Sequence, residues 1–415
     1  MRVGRAALVL GVCAVTLGAG WALKSGCLAP WDGRQYRTLC YNDIQPLYEG
    51  RGIDRGTFPY IHGDLVGGEL TRGAIEYPVL TGTFMWASGY LATDADGYLK
   101  VSALLLAPFG LLTAGLLTGM TGPRGLLWAA APALALYGFH NWDLLVVAAV
   151  VVAVWAWARG GHPLWSAGLL GLGGALKLYP LLFVVPLALD EWRRSRRRGI
   201  GAALVAGATV LGANAPFFVQ NPRGWLATYE FHRLRTADFN TIWAWGWPSA
   251  GAEAITTVTT ILTLASCVLL LVWGWSSTRG ARSFPWLQVS AATLAAFLLW
   301  NKVHSPQYAL WLLPFFALLR VRLWWWAAYS LLDLVLYVGI FRWFYDSAYL
   351  GLDFTPAKFA LISAVWGRAA LLVMLTVVFM RSPATVAPPG VVQLSESSHP
   401  PRKVAVIGAE STATE

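Results

Sequence analysis

Apolar residues run along this chain in long blocks separated by short polar breaks. The first block covers about residues 6–23. Further blocks fall near 77–92, 99–119, 125–139, 143–158, 164–177, 179–190, 199–218, 252–277, 285–301, 306–319, 323–341 and 357–380. Runs such as Leu144–Trp157 and Ile261–Trp273 carry no charge, so they present apolar side chains all round a helix. Blocks of this length and frequency predict helices that cross or enter a bilayer. Two polar stretches stand apart. One runs from Lys24 to about Ile75 and is rich in Gly, Arg, Asp and Tyr. The other follows Arg381, is Pro/Ser-rich, and has the composition of a disordered tail.

The pattern predicts an all-α polytopic membrane protein, a bundle of about 11–13 transmembrane or re-entrant helices. It divides into a first transmembrane helix (1–23), a long extracytoplasmic loop (24–76), a multi-helix transmembrane domain (77–381) and a cytoplasmic tail (382–415). The start, "MRVGRAALVLGVCAVTLGAGWA", has the layout of a signal peptide. In a chain that keeps re-entering the membrane it reads as an uncleaved first helix.

Composition sharpens this. Of 415 residues, 57% are hydrophobic and 13% charged, where soluble domains carry roughly a quarter charged. The 23 Trp and 15 Tyr suit membrane–water interfaces. A net charge of +10 could suggest nucleic acid, but many of the arginines sit in short loops, where they set orientation. Dinucleotide, P-loop, HExxH and zinc-type Cys motifs are absent from the sequence. Cys13 and Cys267 lie in apolar blocks as packing residues; Cys27 and Cys40 flank one polar segment. If that segment faces an oxidising compartment, a Cys27–Cys40 disulfide is one expectation and two free thiols the other.

Orientation follows Lys and Arg in short loops. "RRSRRR" at Arg193–Arg198, "TRGAR" at Thr278–Arg282, "RVR" at Arg320–Arg322, Arg381, Arg2 and Arg5 are expected inside. The first polar segment, the loop Gln220–Ser249 and the break "NKVHSPQ" then fall outside. So do "HNWD" and "KLYP", provided that 77–92 dips in and returns. The alternative makes 77–92 a full crossing and fuses 164–189 into one helix. Asp333 and Arg368, inside later apolar blocks, are candidates to pair with each other.

On the preferred topology four polar breaks share one surface. Glu76 and Tyr77 open one; Asn141 and Asp143, Lys177 and Tyr179, and Lys302, His304 and Gln307 mark the others. The loop "YEFHRLRTADFN" adds His232, Arg233 and Arg235, and "CYNDIQPLYEGRG" adds Asp43 with Tyr41, Asn42, Tyr48 and Arg51. Plainer readings exist for each. Asp43 could cap a short helix; Lys177 and Lys302 could snorkel to headgroups; Tyr77 and Tyr179 could be interface aromatics; the prolines could only break helices. Together the groups suit another chemistry. Cations hold a phosphate, and a carboxylate takes the proton of an acceptor hydroxyl. An anomeric carbon is attacked through an oxocarbenium-like state while a lipid phosphate leaves.

The blocks "YNDI…LY…RG", "EYPVLTG", "NWDLL", "KLYP" and "NKVHSPQYALWLLP", in that order, resemble bacterial glycosyltransferase family 87, a membrane GT-C family typical of actinobacteria. The resemblance spans about residues 30–320. It implies inverting transfer of mannose, or a related pentose, from a polyprenyl-phosphate sugar to a glycolipid or glycan acceptor of the cell envelope, outside the cytoplasm. By the class pattern Asp43 matches the acidic base of the first external loop, and Lys177, Lys302 and His304 match basic positions near the lipid phosphate. No metal and no cofactor are expected, and no nucleic-acid partner. A lipid or solute transporter is the competing class, because intramembrane charges and Pro-broken helices also suit transport. The sequence shows no internal repeat, which argues against that class. A scaffold for cell-wall enzymes is the third reading.

Overall fold

The computed structural model describes residues 2–386 except Ala29 and Arg282. The tail beyond Val386, and with it most of the expected disordered segment, lies outside the described residues. The chain is all-α and polytopic. Six helices are long and apolar enough to cross a membrane: Gly4–Ser25, Ala95–Ala129, Arg196–Gln220, Ala252–Ser277, Leu323–Leu350 and Pro356–Arg381. The lone sheet among the described residues is a two-stranded hairpin, Leu65–Val66 with Glu69–Leu70.

Two kinds of apolar helix separate by burial. Arg196–Gln220 and Ala252–Ser277 leave large apolar side chains exposed, among them Leu204, Leu211, Ile261, Leu264 and Leu269. Apolar surface of that extent is the face a bilayer covers. Helices Asp143–Gly160 and Ala309–Leu318 are the opposite: most of Leu144–Val154 and all ten residues of the second are buried in protein. They are apolar all round because every side meets another helix. Asp143–Gly160 packs between Ala95–Thr121 and Pro163–Leu176, and Trp286–Trp300 packs against Pro356–Arg381.

The polar breaks are helix ends. Pro163–Leu176 stops at Lys177, whose backbone is extended, and a 3-10 turn over Tyr179–Phe183 follows. Pro180 has no N–H to continue the ladder, so a single helix through 164–189 does not form. Helix Val79–Gly89 has 11 residues, about 16 Å at 1.5 Å per residue, short of the ~30 Å hydrocarbon core. The block 125–139 is not one helix either. It divides into Leu126–Ala129 and Pro132–Tyr137, with Ala131 extended ahead of Pro132.

Two further expectations need correction. Asp333 and Arg368 are not within ion-pair distance: Asp333 accepts from the Tyr137 hydroxyl at 3.1 Å, and Arg368 donates to the Asn240 carbonyl. Each finds a neutral partner closer to hand. The first residues after Arg381 are ordered too. Arg320 N–H donates to the Pro383 carbonyl and Thr385 N–H to the Leu318 carbonyl, both at 2.8 Å, which satisfies backbone at the end of helix Ala309–Leu318.

Candidate functional site

Several helix ends meet at one end of the bundle. The N-termini of Val79–Gly89, Asp143–Gly160 and Ala309–Leu318 gather there with Lys177, at the C-terminal end of Pro163–Leu176, and with helix Pro222–Leu234. Residues 30–76 fold over them. Asn221 Nδ2 donates to the Ile61 and Gly63 carbonyls at 3.0 and 3.2 Å, and Thr228 to the Ile75 carbonyl at 2.6 Å. The Tyr60 hydroxyl donates to the Tyr77 and Pro78 carbonyls at 2.8 and 3.0 Å. Its ring occupies the space a side chain at Gly82 would need, which is why "EYPVLTG" places glycine there. A disulfide joins Cys27 to Cys40 and so ties the Asp43 segment to the end of the first helix.

Under this cover lie two adjoining chambers. The first, of about 320 Å³, is lined by Tyr41, Asp43, Glu76, Arg235, Gln307 and Tyr308 among others. The second, of about 340 Å³, is lined by Tyr179, Phe297, Lys302, Val303 and Trp311 among others, and is the more apolar. Glu76, Tyr77, Lys177, His232 and Tyr308 line both and form the wall between them.

Asp43 precedes helix Ile44–Gly50 but does not cap it: its side chain makes no cap hydrogen bond. Asn42 does that work, accepting from Gln45 N–H at 3.0 Å. The Asp43 carboxylate is 22% exposed, toward the first chamber. Asn141 Nδ2 donates to its Oδ2 at 2.8 Å, Gln307 Nε2 approaches at 3.4 Å, and His140 Nε2 stands 3.9 Å away. Asn141 is oriented by its own Oδ1, which accepts from Trp142 N–H at 2.6 Å. Burial raises the Asp43 pKa above the ordinary carboxylate value, opposed by hydrogen bonds from Asn141 and Tyr41 and by the Lys177 charge.

Glu76 shares the chamber in a different state. Arg51 holds it bidentately, Nε to Oε2 at 2.7 Å and Nη2 to Oε1 at 3.2 Å. Lys177 is enclosed rather than snorkelling. Its ammonium donates to both oxygens of Asp143 at 2.9 and 2.8 Å, leaving a third N–H. The rings of Tyr77, Tyr308 and Trp311 surround it, centroids 5.2, 5.2 and 5.4 Å away. Trp311 Nε1 donates to Asp143 at 2.5 Å. The Tyr77 hydroxyl accepts from Asn141 at 2.6 Å, so its own proton is available to the chamber. Tyr179 stacks on Trp311 with centroids 4.3 Å apart. Arg235 lines the first chamber and pairs with Asp238 at 2.8 Å.

Two basic residues singled out from the sequence sit differently. Lys302 borders the second chamber, but its ammonium is taken by the Arg233 and Arg235 carbonyls and the Thr256 hydroxyl, at 2.9, 2.7 and 2.6 Å. Burial and the nearby Arg235 charge lower its pKa to about 8. His304 lines neither chamber; its backbone N–H donates to Asp238 at 3.2 Å, and burial pushes its ring well below the usual histidine value. Residues not singled out also take part: His140, Lys24, Tyr308 and Trp311. His140 opens the "HNWD" break, and Lys24 is a charge closing an apolar helix.

A chamber with one available carboxylate, joined through an enclosed cation to an apolar chamber, suits transfer of a polar group from an apolar carrier. The sequence profile described as glycosyltransferase family 87 matches residues 76–301, more than half of the chain. The chain belongs to glycosyltransferase family 87. It is a membrane glycosyltransferase, with a sugar donor, an acceptor and the bilayer as its partners. The matched region holds Glu76, Tyr77, Asn141, Asp143, Lys177, Tyr179 and Arg235; Asp43 lies before it, and Lys302, His304 and Gln307 after it. A search of curated proteins found no match.

Proposed function

We propose that this family 87 enzyme transfers mannose from a polyprenyl-phosphate donor to a cell-envelope glycolipid or glycan acceptor, with Asp43 as general base. The observation that carries the reading is the shared wall. An apolar chamber fit for a prenyl chain adjoins a polar one with a carboxylate, and Lys177 stands between them. The acceptor oxygen attacks the anomeric carbon as its bond to the phosphate oxygen breaks. The hydroxyl proton passes to Asp43, and the electron pair leaves with the lipid phosphate. The third N–H of Lys177 and the Tyr77 hydroxyl would take hydrogen-bonding positions toward that phosphate as charge develops on it.

Purified enzyme, an acceptor lipid extract and radiolabelled polyprenyl-phosphate mannose test the donor class, with polyprenyl-phosphate arabinose and nucleotide-activated mannose in parallel. Label should move from the polyprenyl mannose. Use of the nucleotide sugar alone would refute the reading. Passage of labelled lipid across a proteoliposome without transfer would establish transport instead.

The same reading puts the chambers on the outer face and the cluster Arg193–Arg198 in the cytoplasm, which the Arg distribution supports. In a cysteine-free background, a cysteine at exposed Glu69 should react with an impermeant thiol reagent in intact cells, and one at exposed Arg197 only after permeabilisation. The reverse pattern would invert the enzyme.

A further inference from the structure

Lys24 closes the first helix and is completely buried, with three acceptors around its ammonium. These are the Tyr41 carbonyl at 2.6 Å, the Tyr337 hydroxyl at 2.9 Å and His140 Nδ1 at 3.1 Å. The Tyr337 hydroxyl donates its own proton to the Leu39 carbonyl at 2.6 Å, so toward Lys24 it accepts. In its ammonium form Lys24 only donates, and the three groups around Nζ match its three N–H bonds. His140 Nδ1 facing it must therefore carry a lone pair, and the ring proton sits on Nε2. That nitrogen stands 3.9 Å from Asp43 Oδ2. The same histidine's carbonyl accepts from Asp43 N–H at 2.8 Å, so His140 holds the Asp43 backbone and sets its ring beside the carboxylate.

Building on the assignment of Asp43 as base, we propose that His140 is a positioning residue for that base, and that Lys24 fixes its tautomer. The chain runs from the Leu39 carbonyl through Tyr337, Lys24 and His140 to Asp43. It turns a neutral N–H toward Oδ2 and, with Asn141, holds the carboxylate toward the chamber. A contact of 3.9 Å is longer than a hydrogen bond, and catalytic contacts of this kind commonly tighten when substrate binds. Burial and the adjoining Lys24 ammonium keep the ring neutral, holding it well below the usual histidine range. The competing arrangement turns Nδ1–H toward the Tyr41 carbonyl. Lys24 would then have no part in the tautomer.

The groups facing Asp43 are Tyr41 on its own segment, Glu76 ahead of helix Val79–Gly89, Lys177 after Pro163–Leu176, and His140 ahead of Asp143–Gly160. Loss of the Nε2 proton donor removes one group that favours the ionised carboxylate, so the acid limb of the rate profile should move to higher pH.

The test compares variants in the full-length enzyme, measuring kcat, donor KM, thermal midpoint and the acid limb of kcat/KM with polyprenyl-phosphate mannose. His140→Phe should lose roughly 10- to 100-fold in kcat, the share of general-base action that depends on placing the base, with donor KM little changed and the acid limb raised. His140→Gln puts an amide N–H near the Nε2 position and should recover most of the loss. His140→Asn puts its amide toward Lys24 and should not. This pair decides the matter if His140→Phe does not fold. Lys24→Met should shift kcat and the acid limb in the direction of His140→Phe, and Lys24→Gln, which can still donate to Nδ1, should shift them less. Equal activity of the Gln and Asn variants, or Lys24→Met leaving both kcat and the acid limb unchanged, would overturn the proposal. An active Asp43→Asn enzyme would instead remove the base assignment; an inactive one beside unaffected His140 variants would remove only this inference.

Discussion

Asp43 and Glu76 line one chamber, yet they differ in what they are free to do. Glu76 has both oxygens bound by the Arg51 guanidinium, at 2.7 and 3.2 Å. Asp43 is held by neutral amides on one oxygen, with cations kept at a distance and its pKa raised by burial. A carboxylate locked in a bidentate ion pair is a poor proton acceptor, because accepting the proton would break the pair. A carboxylate with a raised pKa and neutral neighbours is a better one. The first builds the chamber wall and the second is suited to chemistry, although the sequence offers each as an acidic residue beside aromatics. The same division separates Lys177 from Lys302. One reaches the chambers with a donor to spare; the other spends all three on a loop.

Replacing each member of these pairs tests the division, and the largest effect belongs to Asp43. Asp43→Asn keeps the shape and should lose about 10²–10⁴-fold in turnover, with donor binding intact. Near-normal transfer at matched expression would move the search for the base to Glu76. Next comes Lys177. Its removal alone would strand Asp143 at a cost of about 3–5 kcal/mol, so the informative variant is Lys177→Met with Asp143→Leu. That enzyme should fold and lose roughly tenfold or more in kcat/KM for the lipid donor, the scale of one charged hydrogen bond. Unchanged donor kinetics would free the shared wall of any role in phosphate binding. Glu76→Gln should cost less, about tenfold at most, since an amide can still accept from Arg51. The smallest catalytic effect is expected from Lys302→Met. Its loss should register as about 1–3 kcal/mol of stability from carbonyls left without a donor, and hardly at all in turnover per folded molecule.

How much of this was legible in the sequence follows the range of the forces involved. Apolar block length and uninterrupted hydrophobicity are local, so the helical class and the breaks at Asn141–Asp143, Lys177–Tyr179 and Lys302–Gln307 could be read directly. The break at Pro132 inside the block 125–139 was visible as a residue but not as the end of a helix. Partners are not local. Nothing around Lys302 says that carbonyls 67 and 69 residues earlier will take its protons, nor does His140 announce a lysine 116 residues away. His304 looked equivalent to Lys302 in "NKVHSPQ", and the turn through Ser305 and Pro306 sends it away from both chambers. Asp43 was legible as a candidate. Only packing tells it from a cap, because Asn42 supplies the cap hydrogen bond one residue earlier.

The different states of the two carboxylates bear on the stereochemistry of transfer. If Asp43 acts alone as a base and Glu76 stays bound to Arg51, no carboxylate is available to form a covalent glycosyl intermediate, and transfer is a single displacement. The anomeric configuration of the product, read by NMR on sugar transferred from polyprenyl-phosphate mannose of defined configuration, tests this. The inverted configuration is expected. Retention would require a second nucleophilic group acting on the donor and would contradict the assignment of Asp43 as the base of a one-step transfer.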